Sequence, residues 1–222
     1  MSELQALHAA VRGLAIDLRA SELPEAVAAE ALRAVADARA RIAPYRHEGP
    51  YAVEQLRPPS QDFQFDPADP LGCIPYAPIL GRLNPGSIDS SLRVVDRAIE
   101  GEVTFSPLQA GPMNLVHGGA LAGLCDELFA LAVLAYGCVG FTREVNVDFR
   151  APARLGQALA VRAFVESADD RSLLARAEVQ DEGRVCVAAS ARFRKVGDLS
   201  GTFYDKPGAV LADRPKNFGE HR

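Results

Sequence analysis

Little in this chain suits it to nucleic acid, a membrane or a metal. Of its 222 residues, 24 are Lys or Arg and 29 are Asp or Glu, for a formal charge of -5. The basic surface that grips a phosphate backbone is therefore missing, and any phosphate-bearing ligand would need a local basic pocket. The four cysteines (Cys73, Cys125, Cys138, Cys186) show neither CxxC spacing nor a cluster, and the four histidines (His8, His47, His117, His221) are scattered. They complete no recognisable zinc set, so no metal is expected. Reduced cysteines point to a cytoplasmic protein. The longest apolar run, Ala120 to Tyr136, is broken by Asp126 and Glu127, which argues against a membrane span. The N-terminus carries Glu3 early and lacks an apolar core, so it does not read as a secretory signal. No internal repeat appears.

What is present is ordinary for a globular chain, with 48% hydrophobic and 24% charged residues. The length suits one well-buried domain plus extra elements. Leu4, Leu7, Val11, Leu14 and Leu18 recur at helical spacing, and a second helix is predicted to about Ile42, with Leu23, Val27, Ala31, Val35, Ala38 and Ile42 on one side. Prolines and glycines then recur to Pro85, which marks an irregular connector. The division expected is a helical extension over 1–44, a Pro-rich connector over 45–88, a main domain over 89–196 and a polar tail over 197–222. The first 85 residues read as a packing or oligomerisation appendage, with a lid over the substrate as the second reading.

Beyond about Leu92 the period changes from helix to strand. Ile99, Val103 and Phe105 alternate with polar residues, and an apolar helix then follows from about His117 to Tyr136. It is apolar on every face, which is the mark of a buried helix. Four more alternating segments follow, with apolar sets Val145/Val147/Phe149, Leu159/Val161/Ala163/Val165, Leu173/Ala175/Ala177/Val179 and Val185/Val187/Ala189/Ala191/Phe193. Each has one apolar face, as in an antiparallel sheet that covers a core on one side. The fold class is therefore α+β, with one long helix against the apolar face of a curved antiparallel sheet.

The chemistry gathers in Gly111-Pro112-Met113-Asn114-Leu115-Val116-His117-Gly118-Gly119-Ala120 and the helix it leads into. Glycines at a helix mouth let a ligand approach the backbone, and the unpaired amides there stabilise negative charge. Asp126 interrupts the apolar helix. A carboxylate sequestered there costs several kcal/mol unless it is partnered or lines a cavity, which makes it a candidate base or nucleophile. Glu127 is its rival, since adjacent helical residues point about 100° apart. Asp126 lies nine residues beyond His117, roughly 13 Å along a helix. One copy cannot place it and its own Gly118 amide on the same atom, whereas two copies about a two-fold axis can.

This stretch, GPMNLVHGGALAGLCDE, resembles the HGG signature of hotdog-fold acyl-CoA thioesterases, in particular the phenylacetate-pathway (PaaI-like) branch, over residues 89–196. The resemblance implies a hotdog fold and hydrolysis of an acyl-CoA ester to a free acid and CoA by a homodimer or homotetramer. No cofactor is implied beyond the coenzyme A of the substrate. It also implies that Asp126 activates water or attacks directly, that the Gly118 amide is the oxyanion hole, that His117 positions the thioester, and that Thr142, ten residues before Pro152, helps to hold the water. Gly119, Asn114 and Arg150 are the expected substrate contacts, with Arg154 a further candidate for the CoA phosphates. Where some relatives carry Asn or Gln six residues before the histidine, this chain has Gly111. Hydrolysis of carrier-protein thioesters and non-catalytic acyl-CoA binding are the alternative functions.

Overall fold

The computed structural model describes residues 2–46 and 65–199. Two helices open the chain, α1 (Glu3–Ala20) and α2 (Glu25–Ile42). The described part of the connector contains a 3-10 turn, Pro70–Cys73, and the segment between 47 and 64 lies outside the described residues, as does the tail from 200. Strands β1 (Asp89–Val95) and β2 (Ala98–Thr104) form a hairpin. Helix α3 (Gly118–Tyr136) and strands β3 (Cys138–Phe149), β4 (Ala158–Ala168), β5 (Ser172–Asp181) and β6 (Arg184–Asp198) follow.

The order is the expected one of strand, strand, helix and four strands. All six strands form a single antiparallel sheet, β1-β2-β4-β5-β6-β3. The β1–β2 turn carries Asp96 and Arg97, both at positive φ, and the β5–β6 turn carries Glu182 and Gly183, also both at positive φ. Such turns match the twist of the strands they join.

Helix α3 packs across the apolar sheet face against β2, β3, β4, β5 and β6. Leu124, Leu128, Phe129 and Leu131 are fully buried there, each worth about 1.5–3 kcal/mol relative to exposure. By length and composition α3 could cross a bilayer, yet its apolar side chains fill this core. Gly137 ends it in the left-handed conformation at φ 98°, with its N–H on the carbonyls of Leu134 and Val133. The connector does more than link, because Phe65, Leu71, Leu80 and Ile88 are all buried in the same core.

Among the described residues strand β3 pairs with β6 and forms one edge of the sheet. Its alternation is interrupted between Thr142 and Glu144: Thr142 faces Phe193, Glu144 faces Arg192, and Arg143 has no opposite number. One extra residue in a strand turns the side chains before it over to the other face. Thr142 therefore shares the helix side with Val145, whereas simple alternation would put it beside Glu144 on the outer side.

Candidate active site

His117 caps α3. Its carbonyl accepts the N–H groups of Ala120 and Leu121, and its own N–H donates to the Gln109 carbonyl at 2.9 Å. The imidazole Nδ1 accepts the Gly119 N–H at 3.0 Å, so the neutral ring carries its proton on Nε2, which is left to donate outward. The two glycine amides thus differ. That of Gly119 is engaged by His117, while that of Gly118 donates to no acceptor among the described residues. Gly118 lies under the ring of Phe149, whose Cζ would be 3.6 Å from a Cβ placed there.

The loop before His117 is held by Gly111 N–H on the Leu115 carbonyl at 2.7 Å and Val116 N–H on the Ala153 carbonyl at 3.0 Å. Met113 and Asn114 both adopt left-handed backbone, at φ 56° and 57°. Asn tolerates that region, but for Met it stores strain. Met113 is also 85% exposed. The Asn114 carbonyl accepts the Leu155 N–H at 3.2 Å, and its side chain is exposed.

Asp126 is exposed on α3, where the sequence suggested a sequestered acid. The bulk of the sheet covers the opposite side of the helix, and the carboxylate faces outward in one copy. The Thr142 hydroxyl donates to Asp126 Oδ1 at 3.2 Å. Small residues flank the carboxylate along the same side of α3, with Gly119 and Asp126 exposed and Ala122, Gly123 and Ala130 half-buried. The adjacent Cys125 is no rival nucleophile, because burial, with a contribution from the Asp126 charge, pushes its thiol up to about 12.

Glu127 turns elsewhere. Its carboxylate accepts the backbone N–H groups of Ile79 and Leu80 at 2.8 and 2.7 Å, clamping the connector to α3. Burial raises its pKa above the ordinary value, those two amides oppose the rise, and the neighbouring Asp126 adds to it. Sequence reasoning missed this clamp, since the two elements are nearly fifty residues apart and no motif marks the pairing.

The other basic candidates lie apart from the Asp126 face. Arg150 pairs with Asp148 at 2.8 Å and lines a groove on the outer sheet face with Asn146, Glu166 and Arg176. Arg154 is committed to Asp181, whose side chain is 1% exposed; Nε donates to Oδ2 at 2.7 Å and Nη2 to Oδ1 at 2.5 Å. That bond holds the Asp181 carboxyl below its ordinary range.

Within one copy the structure therefore brings Asp126 and Thr142 together, and separately His117, Gly118 and Gly119. Eight residues of helix, about 12 Å, separate Asp126 from Gly118. Beside both runs the outer edge of β3, where Val145 and Phe149 are 39% and 53% exposed.

Residues 113–188 match the sequence model of the thioesterase superfamily. Among solved structures, a thioesterase superfamily protein superposes with a TM-score of 0.74 at 21% identity, over 87% of this chain and 91% of that one. A hypothetical thioesterase protein of Streptococcus pneumoniae TIGR4, solved with coenzyme A, gives a TM-score of 0.48 at 18% identity, over 50% and 92% of the two chains. The PaaI protein of the E. coli phenylacetic acid degradation operon gives 0.45 at 20% identity, over 50% and 80%. One long helix wrapped by a six-stranded antiparallel sheet, preceded by helices, is the hotdog fold.

Proposed function

We propose that this chain hydrolyses acyl-CoA thioesters to the free acid and CoA, at a site shared by two copies that meet along β3. The observation that carries the reading is the Thr142–Asp126 pair on an open helix face, beside a sheet edge with exposed apolar side chains. A sheet edge with exposed apolar side chains is a template for pairing with another chain. Antiparallel pairing about a two-fold axis sets Asp126 of one copy near the helix mouth of the other, supplying the enclosure that a single copy lacks.

In that arrangement the thioester carbonyl points at the Gly118 N–H and the start of α3, whose dipole stabilises the developing oxyanion. His117 Nε2–H orients the ester. Asp126, held by Thr142, takes a proton from water as the water oxygen bonds to the carbonyl carbon. The C–S bond then breaks, and the proton passes from Asp126 to the departing CoA sulfur. Direct attack by Asp126, through an anhydride that water opens, is the variant of the same site. Asn114 and Arg150 are proposed contacts of the CoA moiety. The four cysteines are free, which suits a reducing cytoplasmic setting, and the HGG stretch suggests the phenylacetate-pathway branch.

The test is thiol release from a panel of aliphatic and aromatic acyl-CoA esters, with acyl-carrier-protein thioesters in parallel. Turnover of CoA esters that Asp126→Asn abolishes is the expected result. Tight binding of the whole panel without turnover would make the protein an acyl-CoA binder, and turnover confined to the carrier thioesters would move the substrate class.

A further inference from the structure

The polar side of α1 meets the body, and its apolar side faces away. His8 stacks edge-on against Tyr76 with ring centroids 6.3 Å apart. Arg12 reaches the Ser87 hydroxyl, the Asn84 carbonyl and Asp89, and Arg19 reaches the Pro107 carbonyl. Leu4, Leu7, Val11, Leu14 and Leu18, in contrast, are 38–51% exposed.

Helix α2 is less covered still. It buries no residue, and Leu23, Val27, Leu32, Val35 and Ile42 are all exposed, Leu32 at 69%. No side-chain hydrogen bond or ion pair between α2 and the body occurs among the described residues. Most helices of folded proteins draw their stability from packing an apolar face rather than from propensity. An exposed apolar surface of this extent marks an interaction site.

The charges of α2 indicate what covers it. Glu25 and Glu30 stand in its N-terminal half, with Glu22 just before it, while Arg33, Arg39 and Arg41, with Asp37, stand towards its C-terminal half. A parallel copy would set like charge beside like. An antiparallel copy, related by a two-fold axis near residue 33, sets Glu25 of each chain beside Arg39 and Arg41 of the other. The same register puts Leu32 of each chain opposite Val35 of the other. Such self-complementarity is what an isologous interface requires. A helix built to lie on anionic lipid would carry basic residues along its polar face, and this one carries acids there over its first half.

We propose that α2 pairs antiparallel with α2 of a second copy, forming a helical interface separate from the β3 edge. With α1 anchored to the body by Arg12 and Arg19, that interface ties two thioesterase domains together through their N-terminal helices. This is independent of the catalytic reading.

The test is sedimentation velocity of the full chain over a concentration series. Leu32→Glu with Val35→Glu is expected to weaken one association step at least tenfold while the thermal unfolding of the body stays unchanged. The pair Glu25→Arg with Glu30→Arg should weaken it too, and adding Arg39→Glu and Arg41→Glu to that chain should restore it. An association constant within twofold of wild type in the Leu32/Val35 variant overturns the interface. Failure of the fourfold charge exchange to restore what the Glu pair removed overturns the antiparallel pairing. Altered thiol-release kinetics in the Leu32/Val35 variant, with association unchanged, would make α2 a lid and likewise overturn it.

Discussion

The Thr142 hydroxyl donates to Asp126 Oδ1 across 3.2 Å, and it does so because Arg143 bulges out of β3. Without the extra residue, Thr142 would point to the outer face of the sheet. The bond is long for a hydroxyl–carboxylate contact. Hydrogen bonds to charged groups contribute about 1.5–3 kcal/mol. Thr142→Val is therefore expected to lower kcat about ten- to hundredfold with KM little changed, and Thr142→Ser should recover most of it. Steady-state kinetics on one acyl-CoA ester decide this; equal rates for all three proteins would remove Thr142 from the site.

Asp126→Asn keeps the size and the Thr142 contact but cannot accept a proton. The expected loss in kcat is about two to four orders of magnitude, as for a missing general base. Light scattering should show the same assembly as wild type, since the side chain supports no packing in one copy. Wild-type turnover in this variant would end the catalytic assignment.

Gly118→Pro removes one N–H and little else. Proline is accommodated at the first position of a helix, where the amide has no intrahelical acceptor. His117 before it sits at φ -63°, ψ 133°, the region that a residue preceding proline favours. The variant should melt close to wild type and lose about 10²–10³ in kcat, as when one oxyanion donor is deleted. Mixed with Asp126→Asn under subunit exchange, it should recover about a quarter of wild-type activity, because half of the dimers are mixed and each of those rebuilds one of two sites. No recovery, with exchange verified by mass, would refute a shared site.

Glu127 governs stability rather than chemistry. Glu127→Ala leaves the amides of Ile79 and Leu80 without their acceptor, at about 1–3 kcal/mol for each buried group left unpaired. The carboxyl of the folded protein is raised above its ordinary 4.5, so the folded state holds that proton more tightly than the unfolded chain does. Its contribution is complete below pH 4.5 and declines as the pH rises through the raised value. The melting-temperature gap between wild type and Glu127→Ala should accordingly be wider near pH 4.5 than at pH 7. A gap that widens towards neutral pH would contradict the assignment.

Arg154→Ala strips both guanidinium bonds from the buried Asp181, leaving it the backbone N–H of residue 154, and should destabilise the fold more than Arg150→Ala does. Arg150→Ala breaks only an exposed pair with Asp148 and should cost under about 1 kcal/mol. Urea unfolding of the two variants separates a structural arginine from one free to meet a ligand. Equal losses would show that the buried pair is not what Arg154 supports.

Much of this molecule was legible in its sequence because local physics writes itself into local patterns. Two-residue alternation announced β2 and β3 through β6, and continuous apolarity announced α3 as a buried helix. The run from His117 through Gly119 announced a helix mouth with amides to spare. Asp126 stood out as the charge that the apolar helix did not need. The spacing between Asp126 and Gly118 was legible too, since helix rise is fixed per residue.

Other features were decided only by the tertiary structure, each through contacts between distant segments. A one-residue bulge reversed the face of Thr142, and alternation cannot announce its own interruption. Glu127 was taken out of contention with Asp126 by backbone amides of the connector, and Gly119 was separated from Gly118 by the imidazole of His117. Arg154 found a buried acid at the end of β5, whereas Arg150 did not. The helical stripe of α1 appeared in the sequence as an ordinary amphipathic pattern. Which side it turns to the body depends on where Arg12 and Arg19 find acceptors, and those acceptors exist only once the chain has folded.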